Sequence, residues 1–201
     1  MFCASTYPKQ LNGVVNMTAA AEPTQTHTWT IDASHSHVEF AVRHMMVATA
    51  KGRFADVTGT VEWNGADLAS ATIAVEIPID TIDTKSEQRD GHLKSPDFFD
   101  AASFPTMTFK STKIVPGNDN AFTIEGDLTI RGTTKPITLA AESNGQLRDP
   151  WGLDRAGFSA TGKIDRLAYG LNWNAALETG GFVVAQDVKI TLEIEITKPG
   201  A

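Results

Sequence analysis

The chain has 201 residues, a formal charge of −7, 41% hydrophobic residues and 20% charged residues, a balance that gives one globular domain with a real core. The acidic excess argues against nucleic acid, whose phosphates call for clustered Lys and Arg, and no apolar run approaches the ~20 residues that span a bilayer. The single cysteine, Cys3, excludes an internal disulfide framework.

Residues 1–26 show no periodicity and are rich in Ala, Thr, Asn and Pro, which predicts a disordered tail ahead of one folded domain over 27–198. Lys9 precedes the run Leu11–Met17, but Asn12, Gly13 and Asn16 interrupt it, so it makes a poor secretion signal. A cytoplasmic protein is expected, with export to the periplasm as the alternative, and Met17 offers a second possible start.

Alternation then takes over. Val38, Phe40, Val42 and His44 fall on one face of a strand, with Glu39, Ala41 and Arg43 on the other. Val57, Gly59, Val61 and Trp63 share a face, as do Ile73, Val75, Ile77 and Ile79. Lys85–Asp100 breaks the pattern with a charged, helix-like stretch stopped by Pro96, predicting one helical insertion around residues 85–95 that caps an end of the fold. Strand character returns over Thr106–Lys113 and in the file Phe122, Ile124, Gly126, Leu128, Ile130. The turn Arg131-Gly-Thr-Thr134 leads into a strand that begins at Lys135, with Pro136 at its start. Gly157–Ile164 follows, and Val188, Ile190, Leu192, Ile194 and Ile196 give the cleanest file. Eight or nine such segments predict an all-β protein, an eight-stranded antiparallel barrel.

Signals for chemistry are sparse. His35 and His37 would share a side on a strand, with His44 or His92 as a third ligand, but no carboxylate or cysteine stands at a familiar spacing, so no metal is expected. Arg89-Asp90 and Arg166 read either as structural pairs or as anchors for a polar head group. Hydrolase, metalloprotease and nucleotide motifs are absent, and no catalytic residue is expected.

Several landmarks occur in a characteristic order: Trp29-x-Ile31-Asp32-x-x-His35-Ser36-x-Val38-x-Phe40, His44, Lys51-Gly52-x-Phe54, Arg89-Asp90-x-His92-Leu93, Phe98-Phe99-Asp100, Phe104-Pro105, Leu128-Thr-Ile-Arg131-Gly132 and Arg166-Leu-Ala-Tyr-Gly170. Together they resemble the YceI-like family, lipocalin-like barrels that hold polyisoprenoid lipids. The resemblance implies a protein that binds, stores or shuttles a long isoprenoid, a quinone or polyprenyl compound, in an apolar tunnel. It implies no cofactor beyond that lipid, transient membrane contact, and a homodimer joined through faces or loops because a closed barrel has no free strand edge.

Joined to the alternation, it points to an apolar wall of Phe40, Val42, Phe54, Ile77, Leu93, Phe98, Phe99, Leu128, Ile130, Ile190 and Leu192. Polar contacts would come from His35, Ser36, His44, Arg89 and Arg166. Alternation does not distinguish a hollow barrel from a filled one. A fatty acid or fatty amide carrier, and an enzyme acting on a quinone or lipid head group, stay open as rivals.

Overall fold

The alternating runs become strands because one face of each can be buried only against the faces of its neighbours. A computed structural model describes residues 25–176 and 181–200, so nearly all of the expected tail lies outside the described residues. The strands are β1 (His27–Ile31), β2 (His37–His44), β3 (Ala48–Phe54), β4 (Thr58–Trp63), β5 (Thr72–Pro78), β6 (Ile82–Asp83), β7 (Thr106–Pro116), β8 (Ala121–Ile130), β9 (Thr133–Arg148), β10 (Leu153–Asp165) and β11 (Val184–Pro199). All pairings are antiparallel. The order β1-β4-β5-β7-β8-β9-β10-β11 returns to β1 and closes an eight-stranded barrel.

Eleven segments serve eight strand positions because the first three strands are each bent. β1 and β2 both run along β11, at Thr197–Ile196 and at Glu193–Val184 respectively. Between them Asp32 Oδ1 accepts from Ser34 N (3.0 Å) and Ser34 Oγ (2.6 Å), an aspartate turn that breaks the ladder. Ser36 repairs it: its buried hydroxyl donates to Glu195 O (3.3 Å) and accepts from Glu195 N (3.1 Å). β3 and β4 are divided at residues 55–57, and β5 and β6 by a 3₁₀ turn over Ile79–Thr81.

The bends leave the lower wall incomplete. β3 meets β6 only at Arg53 and Phe54, so Ala48–Gly52 have no strand partner on their outer side among the described residues. The expectation that closure leaves no free edge is thereby corrected. The gap is covered by α1 (Glu87–Lys94), inside the predicted span, and by the segment after it. Ser86 caps the helix, and Ser95 ends it just before Pro96. Pro136 also departs from expectation, lying inside β9 opposite Asp127. It is tolerated because β10 begins pairing with β9 only at Ala140, so one side of this stretch needs no donor. The hairpin before it turns on Arg131 and Gly132 alone, both at positive φ (49° and 70°).

Candidate ligand-binding cavity

Inward-facing residues divide into two groups. Near one end Trp29, Trp63, Phe122 and Ile196 are buried completely or nearly so. Along the middle Phe40, Ile73, Val75, Phe109, Ile190, Leu192 and Ile194 are only half-buried although they face inward. What they face is empty: a cavity of about 250 Å³ runs through the barrel, walled almost wholly by aliphatic and aromatic side chains. It lies a little below the roughly 300–1,000 Å³ usual for pockets of drug-sized ligands. It is elongated, since wall residues on β11 extend from Val184 at one end to Ile196 at the other. The space is long and slim.

The two ends of this lumen differ. One is stoppered by aromatic rings: Trp29 against Trp63 (centroids 5.5 Å), Trp63 against Phe158 (6.0 Å) and Phe158 against Phe122 (6.0 Å). Trp29 Nε1 donates to Trp63 O (3.3 Å), while Trp63 Nε1 is buried with no partner among the described residues. Outside the stopper, Lys198 lies over the Trp29 ring (5.1 Å) and donates to Asp154 Oδ2 (2.8 Å), whose other oxygen accepts from Arg148 Nε (2.8 Å). The Arg148 and Lys198 hydrogen bonds hold the Asp154 carboxyl down at about 2.

The other end is a mouth. Val42, Val184 and Val188 form part of its rim, and Leu93, Phe98 and Phe99 approach from the cover over the gap. The cover is stitched down. Thr84 N and Oγ1 donate to Asp90 Oδ1 (2.9 and 2.5 Å). His92 sets its ring edge-on to Phe98 and Trp173 and meets Asp97 Oδ2 at 2.9 Å. Arg131 Nη1 donates to both Phe98 O (3.1 Å) and Gly170 O (3.0 Å).

All eleven predicted apolar wall residues line this lumen: Phe40, Val42, Phe54, Ile77, Leu93, Phe98, Phe99, Leu128, Ile130, Ile190 and Leu192. Of the polar candidates only Arg166 does. Its buried guanidinium donates to Ala185 O (2.9 Å), Trp173 O (2.9 Å), Val184 O (3.2 Å) and Leu171 O, and burial pushes its pKa down. Arg166 therefore anchors the chain between β10 and β11.

The other four stand apart. Arg89 spends its donors on Thr84 Oγ1 (2.7 Å) and Thr84 O (2.6 Å), Ser36 is the ladder repair described above, and half-buried His44 ends β2 opposite Ala48. His35 sits in the exposed turn before β2, not on a strand with His37, and contacts Asp32 Oδ2 (3.0 Å).

That turn brings His35 near two carboxylates, Asp32 and Glu195, a grouping the spacing did not show. Arg155 already occupies its centre, donating to Asp149 Oδ2 (2.7 Å), Asp32 Oδ2 (3.1 Å) and Glu195 Oε1. Hydrogen bonds from Ser34 and then His35 hold the Asp32 carboxyl well below the usual carboxylate range. The cluster is a latch across the bend between β1 and β2.

The aromatic residues Phe122 and Phe158, spread over separate strands, are legible from the sequence as channel lining, and both line the lumen. Sequence reasoning misses Trp63 and Ile114, although Trp63 ends an apolar file already read, so following that file to its end would have found it.

A hollow eight-stranded antiparallel barrel with one stoppered end and one covered mouth is the architecture of the small lipocalin-like barrels. The YceI-like domain matches residues 29–196, and this chain belongs to that family. A UPF0312 protein of Staphylococcus aureus (strain N315) is 40% identical over 170 residues, 84% of this chain and 96% of the relative. The crystal structure of a Campylobacter jejuni YceI protein superposes with a TM-score of 0.67 at 29% identity, covering 78% of this chain and 89% of that one. A polyisoprenoid binding domain from Saccharophagus degradans shares the fold at 14% identity and TM-score 0.58, covering 85% and 98%.

Proposed function

We propose that this protein binds a long-chain isoprenoid lipid, a quinone or polyprenyl compound, in the lumen and exchanges it with membranes. The observation that carries the reading is the continuous apolar lumen, long and slim, in a barrel of this family. The neighbouring domain described as polyisoprenoid binding supports the ligand class.

Burying each methylene gains about 0.8 kcal/mol relative to water, so a chain of several isoprene units is held firmly against loss to solvent. A bilayer offers it a comparable environment, and transfer between the two is close to balanced. Beside the mouth, the β2–β3 hairpin exposes Met46 (71%) and Val47 (82%), with Phe182 and Leu167 also exposed. Met45 N donates to Val183 O (2.8 Å), tying this hairpin to the start of β11. Such an apolar lip suits contact with a lipid surface during exchange.

The role is one of binding and not catalysis. The wall carries two ionisable side chains among the described residues, Glu39 and Arg166. Glu39 is exposed and Arg166 is committed to backbone carbonyls, so no nucleophile and base converge on the lumen.

Native mass spectrometry of the full chain, purified without added lipid, tests the proposal. A mass increment that extracts into organic solvent and fragments as an isoprenoid is expected. A bare chain would count against it, and a fatty acid or fatty amide would replace the ligand class. The same spectrum reads whether the chain is the homodimer expected for the family.

A further inference from the structure

Glycine inside a strand costs conformational entropy and contributes no packing, so it tends to mark a close approach. Four strand glycines here occupy inward-facing positions in otherwise apolar files: Gly52, Gly59, Gly126 and Gly162. Two of them belong to a single row of paired residues crossing β3, β2, β11 and β10, namely Gly52, Phe40, Ile190 and Gly162.

The row is tightly fitted. A Cβ at position 52 would stand 2.8 Å from Phe40 Cε1 and 2.7 Å from Thr84 Cγ2, and one at position 162 would stand 2.5 Å from Leu139 Cδ2. The tip of the Phe40 ring thus lies against the bare backbone of Gly52, and a Leu139 methyl lies over Gly162. Across the lumen Phe109 lies on Gly126 in the same way, with Cε2 at 2.5 Å from such a Cβ. Phe40, Phe109 and Leu139 all line the lumen. A methyl group added behind Phe40 or Leu139 would leave the displaced side chain only the lumen to move into.

We infer that Gly52 and Gly162 set the bore of the lumen and thereby its ligand class, a conclusion that rests on the binding function proposed above. A single flexible chain with methyl branches passes this row; a fused-ring lipid does not. Gly59 and Gly126 differ, because a Cβ there would strike a backbone carbonyl, Ala74 O or Lys110 O, and substitution would disturb the sheet itself.

Binding of farnesol, geranylgeraniol, solanesol and cholesterol to the full chain, measured alongside its melting temperature, tests the inference. The unsubstituted protein should take the three prenyl alcohols and reject cholesterol. Gly52→Ala and Gly162→Ala should weaken solanesol by about tenfold, as one misplaced methyl in a packed site does, and farnesol by about twofold or less. In the double variant Gly162→Ala, Leu139→Val, the pruned side chain removes the one close contact at position 162 and solanesol binding should return. Gly157→Ala, on β10 outside the lumen wall and where a Cβ meets only Asn144 Cβ at 3.5 Å, serves as the control and should change neither.

Cholesterol binding by the unsubstituted protein, equal loss of every probe, or no loss at all in the single variants would overturn the bore assignment. A protein that takes none of the prenyl alcohols would instead remove the proposed ligand class, and the bore with it.

Discussion

At the stoppered end, Trp29, Trp63, Phe158 and Phe122 interlock over a charge triad of Asp154, Arg148 and Lys198. The mouth is instead a short polar helix and irregular chain, fastened by side-chain hydrogen bonds to backbone and bordered by exposed methionine and valine. One end holds by packing large rings, which any opening would expose to water. The other combines a smaller ring cluster, Phe98 against His92 and Trp173, with discrete polar ties that can be broken individually. Under the proposed binding role, this asymmetry would place the firmer packing where nothing passes and the more easily broken ties where a ligand would enter.

The largest test of that contrast is Trp63→Ala. Removing a buried ring from the stopper should cost about 3–5 kcal/mol, read as a lower midpoint in denaturant unfolding. A loss of about 1 kcal/mol or less would mean that the stopper does not carry the stability assigned to it.

Acid should loosen the stoppered end next. Asp154 is pulled from 3.8 to about 2 by Arg148 and Lys198, so its charged form is favoured in the folded state. Its contribution is complete above the ordinary carboxylate value and is lost as pH falls from about 4 through about 2. The melting temperature should fall across that window, partly through Asp32, whose carboxyl is also depressed. Asp154→Asn should lower the neutral-pH value and flatten the fall; an unchanged slope would remove the triad from the account.

At the mouth the expected effect on stability is the smallest. Met46→Ser should shift the unfolding free energy by no more than about 0.5 kcal/mol, while slowing transfer of bound isoprenoid to lipid vesicles. A clear stability loss would show that the hairpin is a packing element, and an unchanged transfer rate would take it out of the proposed membrane contact.

The strands were legible because period two survives wherever one face is wet, as in Val188–Ile196 and Phe122–Ile130. The bends were less so. Nothing in the alternation marked the turn over Asp32-Ala-Ser34, and only its position opposite Glu195 shows that β1 and β2 are one bent strand. Hollowness left no direct mark, since Ile190 would be isoleucine in either a filled or an empty barrel. The inward glycines were the nearest signal, for Gly59 and Gly126 interrupt apolar files at positions where a filled core would favour a larger side chain. Polar candidates fared worst because a sequence does not show which acceptors arginine finds: Arg89 and Arg166 both turned to nearby carbonyls.

The double hydrogen bond between Ser36 and Glu195 joins residues separated by 159 positions in the chain. From β7 to β10 each strand pairs with its neighbour in sequence across a turn of a few residues, so that meander can form by short loop closures. The ring itself is completed only when the first strands find the last, a slow search with a large entropic cost. Until then both edges of the meander are open to pairing with another chain. Ser36→Ala should therefore act on kinetics as well as equilibrium, slowing the final closure and lengthening the period in which a nascent copy is most prone to aggregate.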